Sequence, residues 1–361
     1  MKAAILEKFN SPLIVADVKL GDPGPYEVRV RTAAVGVCHS DLHLYEGLRP
    51  DLPLPAVLGH EVSGIVEQVG SGVTDLQRGD HVVGTLSSFC GTCPQCIKGR
   101  LVLCQDTDVK QPPGKANRLT RVGQRISQVY NLSGFAEEIL IHRSAVIKIR
   151  RDMPLDRAAL IGCAVLTGAS AVFRTAGVTP GSTVAVVGCG AIGLAAINGA
   201  KIAGATQIVA VDKLPHKLKL AQKFGATHVV DAGANDVVAV VKELTSGGVD
   251  YAFECVGLSL TVEQCWRMSA PGGIVTVLGL FGNFDRISLD GIELLAEKQL
   301  RGSLLGSAKT PVDVPHLVEL YMQGRLNLDD LISQRIELHD INDALSALKR
   351  GEVARSVIVF D

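Results

Sequence analysis

Four cysteines crowd one short stretch: Cys90, Cys93, Cys96 and Cys104, with two, two and seven residues between them. Thiolates this close can enclose a tetrahedral zinc ion with no open position, which makes the metal structural rather than catalytic. Gly91, Thr92, Pro94 and Gln95 supply turn residues where the chain must wrap the ion. An iron–sulfur cluster uses the same donors and is the competing reading. A second pattern, Gly188-Cys189-Gly190-Ala191-Ile192-Gly193, matches G-x-G-x-x-G. Such glycines permit a tight turn and let a pyrophosphate approach the N–H groups of a helix N-terminus. Asp212 follows 19 residues after Gly193 and can accept from ribose hydroxyls. It favours NAD over NADP, because a 2′-phosphate would meet its charge. Lys213 and Lys217 lie close by and work against that preference; Lys217 is also a candidate cofactor contact.

The fingerprint requires a strand before it and a helix after it. Thr183 to Gly188 reads as a buried strand, and Ala191 to Ala203 as the helix. Strand patterns recur at Gln207–Asp212, His228–Asp231, Val249–Glu254, Gly273–Leu278 and Leu300–Leu305, with helices between, one of them over Lys217–Phe224. Alternation of this kind predicts a doubly wound parallel sheet. The first half reads differently. Glu27–Arg31, Gly64–Val69 and Asp80–Gly84 are short β segments bounded by Gly, Pro or Asp. Asp106 to Gly134 is polar, holds Pro112-Pro113-Gly114, and reads as a long functional loop. Near the end, Asp340–Lys349 reads as a helix and Ser356–Phe360 as a final strand.

Composition narrows the function classes. The chain has 361 residues, 47% of them hydrophobic and 20% charged, which suits a folded protein of about two domains. Lys and Arg number 36 against 37 Asp and Glu, so no basic excess points to nucleic acid or an anionic membrane. Thr175 to Ala200 carries no charge, but Pro180, Gly181 and the fingerprint glycines make it a strand-turn-helix rather than a membrane span. Met1 to Lys8 lacks the apolar run of a signal peptide. Nine cysteines without such a signal point to metal or redox chemistry in the cytoplasm.

Other chemistry-bearing residues are scattered: Cys38-His39-Ser40-Asp41-Leu42-His43, Gly59-His60-Glu61 and Gly162-Cys163. No spacing rule joins residues so far apart. Their order does. Together with the cysteine knot, Thr167-Gly168 and the fingerprint, it resembles the zinc-dependent medium-chain alcohol dehydrogenases, from the N-terminus to Arg355-Ser356-Val357-Ile358. The resemblance implies a mainly β, GroES-like catalytic domain over residues 1–164, a Rossmann domain over 165–306, and a C-terminal part, 307–361, that completes the first. It implies a catalytic zinc on Cys38, His60 and Cys163, with a fourth position for water or substrate. With the knot, that makes two zinc ions per chain.

The resemblance also assigns roles. Asp41 orients His60, and Glu61 sits behind the metal. Ser40 and His43 relay the hydroxyl proton to solvent. Thr167, Arg355 and His39 contact the cofactor. Relatives often carry Arg at the position of His39, so cofactor affinity is expected to weaken as pH rises through the ordinary histidine range, about 6.5. Leu86 stands where relatives often place an aromatic, which implies a roomier apolar pocket. The implied reaction is hydride transfer between NAD and a primary alcohol or aldehyde bearing an apolar group, by a homodimer or homotetramer. Oxidation of a thiol adduct of formaldehyde is the alternative; Arg118, Arg121 and Arg125 are candidates for the charged entrance it needs. A non-catalytic nucleotide-binding protein on the same scaffold is the alternative of another class. It would usually have lost the zinc ligands, and all three stand here.

Overall fold

A computed structural model describes residues 1–110, 118–282 and 285–360. The chain divides into two compact units. One holds Met1–Cys163, Lys309–Met322 and Leu328–Asp361; the other holds Ala164–Ala308 and Gln323–Asn327. The short return of 323–327 differs from the boundary expected at 307. Asn198 holds it, accepting from the Asn327 N–H at 2.8 Å.

The first unit is mainly β. Its longest strand, Glu27–Val37, begins with alternating Val28 and Val30, both buried, and continues through the apolar run to Val37. It pairs antiparallel with Glu61–Val69, Glu138–His142 and Ser356–Val359. The registers bring distant residues to one place. Gly36 faces Glu61, and Ser356 faces Val37. Cys38, His60 and Arg355, each one residue beyond a paired position, therefore meet at one end of this sheet. Gly36 is required there, because a Cβ would stand 2.2 Å from Glu61 Oε2. A helical run from Leu155 to Ala176 is apolar enough to span a bilayer, but most of it is buried inside the protein. It passes so close to the strand His81–Gly84 that a Cβ on Gly162 would lie 2.6 Å from the Gly84 carbonyl oxygen. That approach delivers Cys163 to the same end.

The long loop expected over 106–134 is more structured than its composition suggests. Leu119–Arg121 and Gln124–Gln128 form an antiparallel hairpin, with Val122 and Gly123 at positive φ in the turn. Leu119 and Ile126 face inward and are buried. Alternation around a Val-Gly turn was the missed signal. Pro112, Pro113 and Gly114 lie outside the described residues.

The second unit is a six-stranded parallel sheet, in the order His228–Asp231, Gln207–Asp212, Thr183–Val187, Val249–Glu254, Ser269–Val277, Gln299–Gly302. Val184, Val186, Val209 and Val211 are each buried, as in strands covered on both faces. The last strand lies slightly before the expected 300–305. The helix Ala191–Ala203 follows the fingerprint, and Gly204 ends it in the left-handed conformation.

Candidate active site

The residues at the end of the first sheet converge on one point. Ligand atoms of Cys38, His60, Glu61 and Cys163 all lie within 4.8 Å of one another, and all four residues are buried. Cys38 caps the helix His39–Tyr45. Asp41, in that helix's first turn, fixes the arrangement. Its Oδ2 accepts from the Cys38 N–H at 3.1 Å, and its Oδ1 accepts from the Gly59 N–H at 3.0 Å. Oδ1 also lies 3.0 Å from His60 Nδ1. The imidazole is thereby turned so that Nε2 faces the two thiols, and this buried Nε2 has no partner among the described residues. Two cysteines and an orphaned imidazole nitrogen make a donor set that fits zinc, with the other imidazole nitrogen held by a carboxylate. The surroundings ask for a cation: burial lowers the His60 pKa, but Asp41, Cys163 and Cys38 outweigh it and hold the ring above its ordinary value. Its bond with Cys163 pulls the Cys38 thiol well below its usual range.

Within this cluster, Glu61 pairs with Arg355, whose Nε lies 3.1 Å from Oε2. Arg355 is buried, and its Nη1 donates to the Val37 carbonyl at 2.9 Å. Burial pushes Glu61 up to about 8, against the pull of Arg355. Asp41→Asn is expected to lower both zinc affinity and activity by about 10–100-fold, the usual cost of losing a carboxylate behind a metal-bound histidine. Zinc titration of the variant checks this; unchanged affinity would refute the role given to Asp41.

Ser40 and His43 occupy one helix three residues apart, a spacing that places them on one face. His43 Nδ1 is buried with no partner among the described residues. His39 is exposed at the helix start, and Leu86 packs partly buried against the core. Sequence reasoning missed Tyr130. Its ring meets that of His60 edge to face, with centroids 5.5 Å apart. It sits at φ 53° and, with Arg49, Leu52, Lys110 and Gln128, lines a cavity of about 370 Å³. The signal was only that it falls in the segment already singled out as functional. Two of the arginines considered for a charged entrance are engaged in the fold: Arg118 pairs with Glu27, and Arg121 with Glu7.

The cysteine knot is compact. Cys104 Sγ lies 3.7 Å from Cys90 Sγ and 4.0 Å from Cys93 Sγ. A tetrahedron with Zn–S bonds of about 2.3 Å has edges of about 3.8 Å. Sulfurs also accept from backbone: Cys90 N–H reaches Cys104 Sγ and Cys93 N–H reaches Cys90 Sγ, both at 3.3 Å. Backbone N–H groups of Gln105 and Cys96 pull the Cys93 thiol down to about 6.

In the second unit the fingerprint forms an open cradle. Gly188 sits at φ 95°, and a Cβ on Gly193 would stand 1.8 Å from the Gly188 carbonyl oxygen. Gly190 caps the helix with no side chain on its N–H groups, and nothing lies within 4 Å of its Cβ position. Ala191 and Ile192 begin the helix. These features fit a pyrophosphate. Asp212 ends the neighbouring strand, where Oδ2 accepts from the Cys189 N–H at 2.8 Å and Oδ1 from the Leu214 N–H at 3.0 Å. Lys217 lies in the first turn of Pro215–Phe224, and its charge is felt at Cys189. Thr167 is buried, its carbonyl oxygen 2.6 Å from the Cβ position of Gly306.

Residues 24–151 match the family profile of the alcohol dehydrogenase GroES-like domain, and residues 191–322 that of zinc-binding dehydrogenases. Alcohol dehydrogenase class-3 of Myxine glutinosa is 36% identical over 367 residues, covering 99% of this chain and 97% of the relative. The crystal structure of benzyl alcohol dehydrogenase from Acinetobacter calcoaceticus superposes with a TM-score of 0.94 at 33% identity, covering 100% of this chain and 99% of that one. A putative zinc-binding dehydrogenase from Sinorhizobium meliloti 1021, bound to NADP, gives a TM-score of 0.83 at 31% identity and covers 99% of each chain.

Proposed function

The chain belongs to the zinc-dependent medium-chain alcohol dehydrogenases, and from that premise we propose that it moves a hydride between NAD and a primary alcohol or aldehyde carrying an apolar group. Membership makes it an oxidoreductase of small alcohols and aldehydes. The observation that carries the proposal is the orphaned Nε2 of His60 facing Cys38 and Cys163. Zinc held there supplies Lewis-acid polarisation of the substrate oxygen. The rest falls to the protein. Asp41 keeps His60 oriented through Nδ1. Ser40 accepts the hydroxyl proton, and His43, with its unpartnered Nδ1, passes it outward. Glycines at 188, 190 and 193 take the cofactor pyrophosphate, and Ala191, Ile192, Thr167 and Lys217 flank it. An NADP-bound relative shares the scaffold, so the preference for NAD rests on this chain's own Asp212.

A second reading has one supporting observation. Arg49 and Lys110 line the cavity beside Tyr130. Arg49 is held by Asp51, which lines the same cavity, and Lys110 supplies the cation that would meet a charged thiol carrier, as oxidation of a formaldehyde–thiol adduct requires. We also propose a homodimer or homotetramer, because the last strand of the parallel sheet leaves an open edge with Leu300 and Leu304 exposed.

The test is reduction of NAD and of NADP across aliphatic and benzylic alcohols, with a formaldehyde–thiol adduct alongside and sedimentation of the same sample. Turnover of apolar alcohols with NAD well above NADP is expected. Turnover confined to the adduct would favour the second reading, and equal use of both cofactors would overturn the role of Asp212.

A further inference from the structure

Glu254 ends the strand Val249–Glu254 and is fully buried. A buried carboxylate is costly unless its oxygens are satisfied. Here Oε1 gathers three donors, while Oε2 is buried with no partner among the described residues. Glu254 Oε1 accepts from the N–H groups of Val256 at 2.8 Å and Gly257 at 2.7 Å, and from the Thr261 hydroxyl at 2.7 Å. Its main-chain carbonyl accepts from the N–H groups of Leu278 at 2.8 Å and Gly279 at 3.2 Å. This one residue therefore ties the loop after its own strand to the loop after Ser269–Val277.

The tie is tight. A Cβ on Gly279 would stand 2.0 Å from the Gly257 nitrogen, and a Cβ on Gly257 would stand 2.3 Å from the Leu280 carbonyl oxygen. On the other side, a Cβ on Gly188 would meet Val256 Cγ2 at 2.7 Å. Three backbone turns are stacked without room for a methyl group; the Glu254 carboxylate holds the turn at 256–257, and the Glu254 main-chain carbonyl holds the turn at 278–279.

Topology says what these turns face. The fingerprint strand Thr183–Val187 lies between Gln207–Asp212 and Val249–Glu254. In a doubly wound sheet a dinucleotide lies across the carboxyl ends of the strands, with its pyrophosphate at the fingerprint turn. Asp212 marks the adenosine side. The nicotinamide half then falls to the opposite side, over the loops at 255–258 and 278–280. We propose that Glu254 is a positioning residue for the nicotinamide half of the cofactor: its carboxylate sets the loop at 255–258, which packs against the loop at 278–280, and that half rests on the two. This builds on the cofactor reading above.

The test compares NAD with ADP-ribose, which keeps the adenosine and pyrophosphate but lacks nicotinamide. Binding of each is measured on the zinc-loaded full chain for wild type, Glu254→Ala, Glu254→Gln and Thr261→Val. Glu254→Ala is expected to weaken NAD about tenfold or more while ADP-ribose stays within about twofold. Glu254→Gln keeps an acceptor oxygen and restores most of the NAD affinity. Thr261→Val removes one donor of the three and moves NAD the same way by less. Equal weakening of NAD and ADP-ribose, or no change in either, overturns the proposal. Should Glu254→Ala fail to fold, Thr261→Val reads the same split at smaller amplitude, with Glu254→Gln as the near-normal control. A wild type that binds neither nucleotide removes the cofactor reading and this proposal with it.

Discussion

Cys38→Ser is expected to lower kcat/KM for alcohol oxidation by about 10³-fold or more while the chain stays folded. The change is nearly isosteric, and the helix cap is a backbone matter: Asp41 still accepts from the N–H of residue 38. What disappears is the thiolate. A serine hydroxyl does not ionise near neutral pH, so His60 and Cys163 alone must hold the ion. Losing several kcal/mol of charge stabilisation at the substrate oxygen corresponds to that thousandfold drop. Zinc per chain, counted by mass spectrometry, should fall from two to one, and ADP-ribose binding in the other unit should be untouched. A variant with two zinc ions and near-normal turnover would show that Cys38 is not a ligand.

Cys104→Ser should have the opposite signature. Cys104 Sγ accepts a backbone N–H and stands within 4.0 Å of both Cys90 and Cys93 sulfurs. Around it, 90–104 forms only two very short helices, Pro94–Ile97 and Leu101–Leu103. Helices so short do not hold themselves. A metal held by the four thiols would supply the missing free energy, which in isolated zinc modules reaches about 10 kcal/mol. Even a few kcal/mol lost here should lower Tm by on the order of 10 °C. Activity per folded molecule should survive. An unshifted melting curve would remove the structural role. Visible absorbance from the purified wild type would point to an iron–sulfur cluster instead.

Local pattern carried most of the nucleotide half. Its strands at 183, 207, 228 and 249 begin where apolar runs begin, and the helix Ala191–Ala203 spans its expected residues. Fingerprint and knot are short-range, so spacing alone reveals them. The metal cluster is different. Cys38, His60 and Cys163 meet because Gly36 pairs with Glu61 and because Gly162 lets a helix touch the Gly84 carbonyl. Neither event has a local signature; only likeness to a known family joined those residues. Tyr130 escaped for a related reason. Its contact with His60 depends on left-handed backbone at Tyr130, Asn131 and Ser133, none of them glycine, and Ser133 Oγ is anchored to the Val57 carbonyl at 3.0 Å. Tertiary contacts impose such conformations against local preference.

The register that seats Ser356 opposite Val37 also bears on assembly in time. The bond from Arg355 to the Val37 carbonyl spans 318 residues, whereas the knot closes over 14 between Cys90 and Cys104. Short loops close early and long ones late, because chain entropy must be overcome first. On a ribosome the knot has all its cysteines long before the final strand emerges. The charge that answers Glu61 arrives only with Arg355, far along the chain from it. The cluster of Cys38, His60 and Cys163 is thus completed late, and a nascent chain short of the strand Ser356–Val359 carries the knot but not the completed centre.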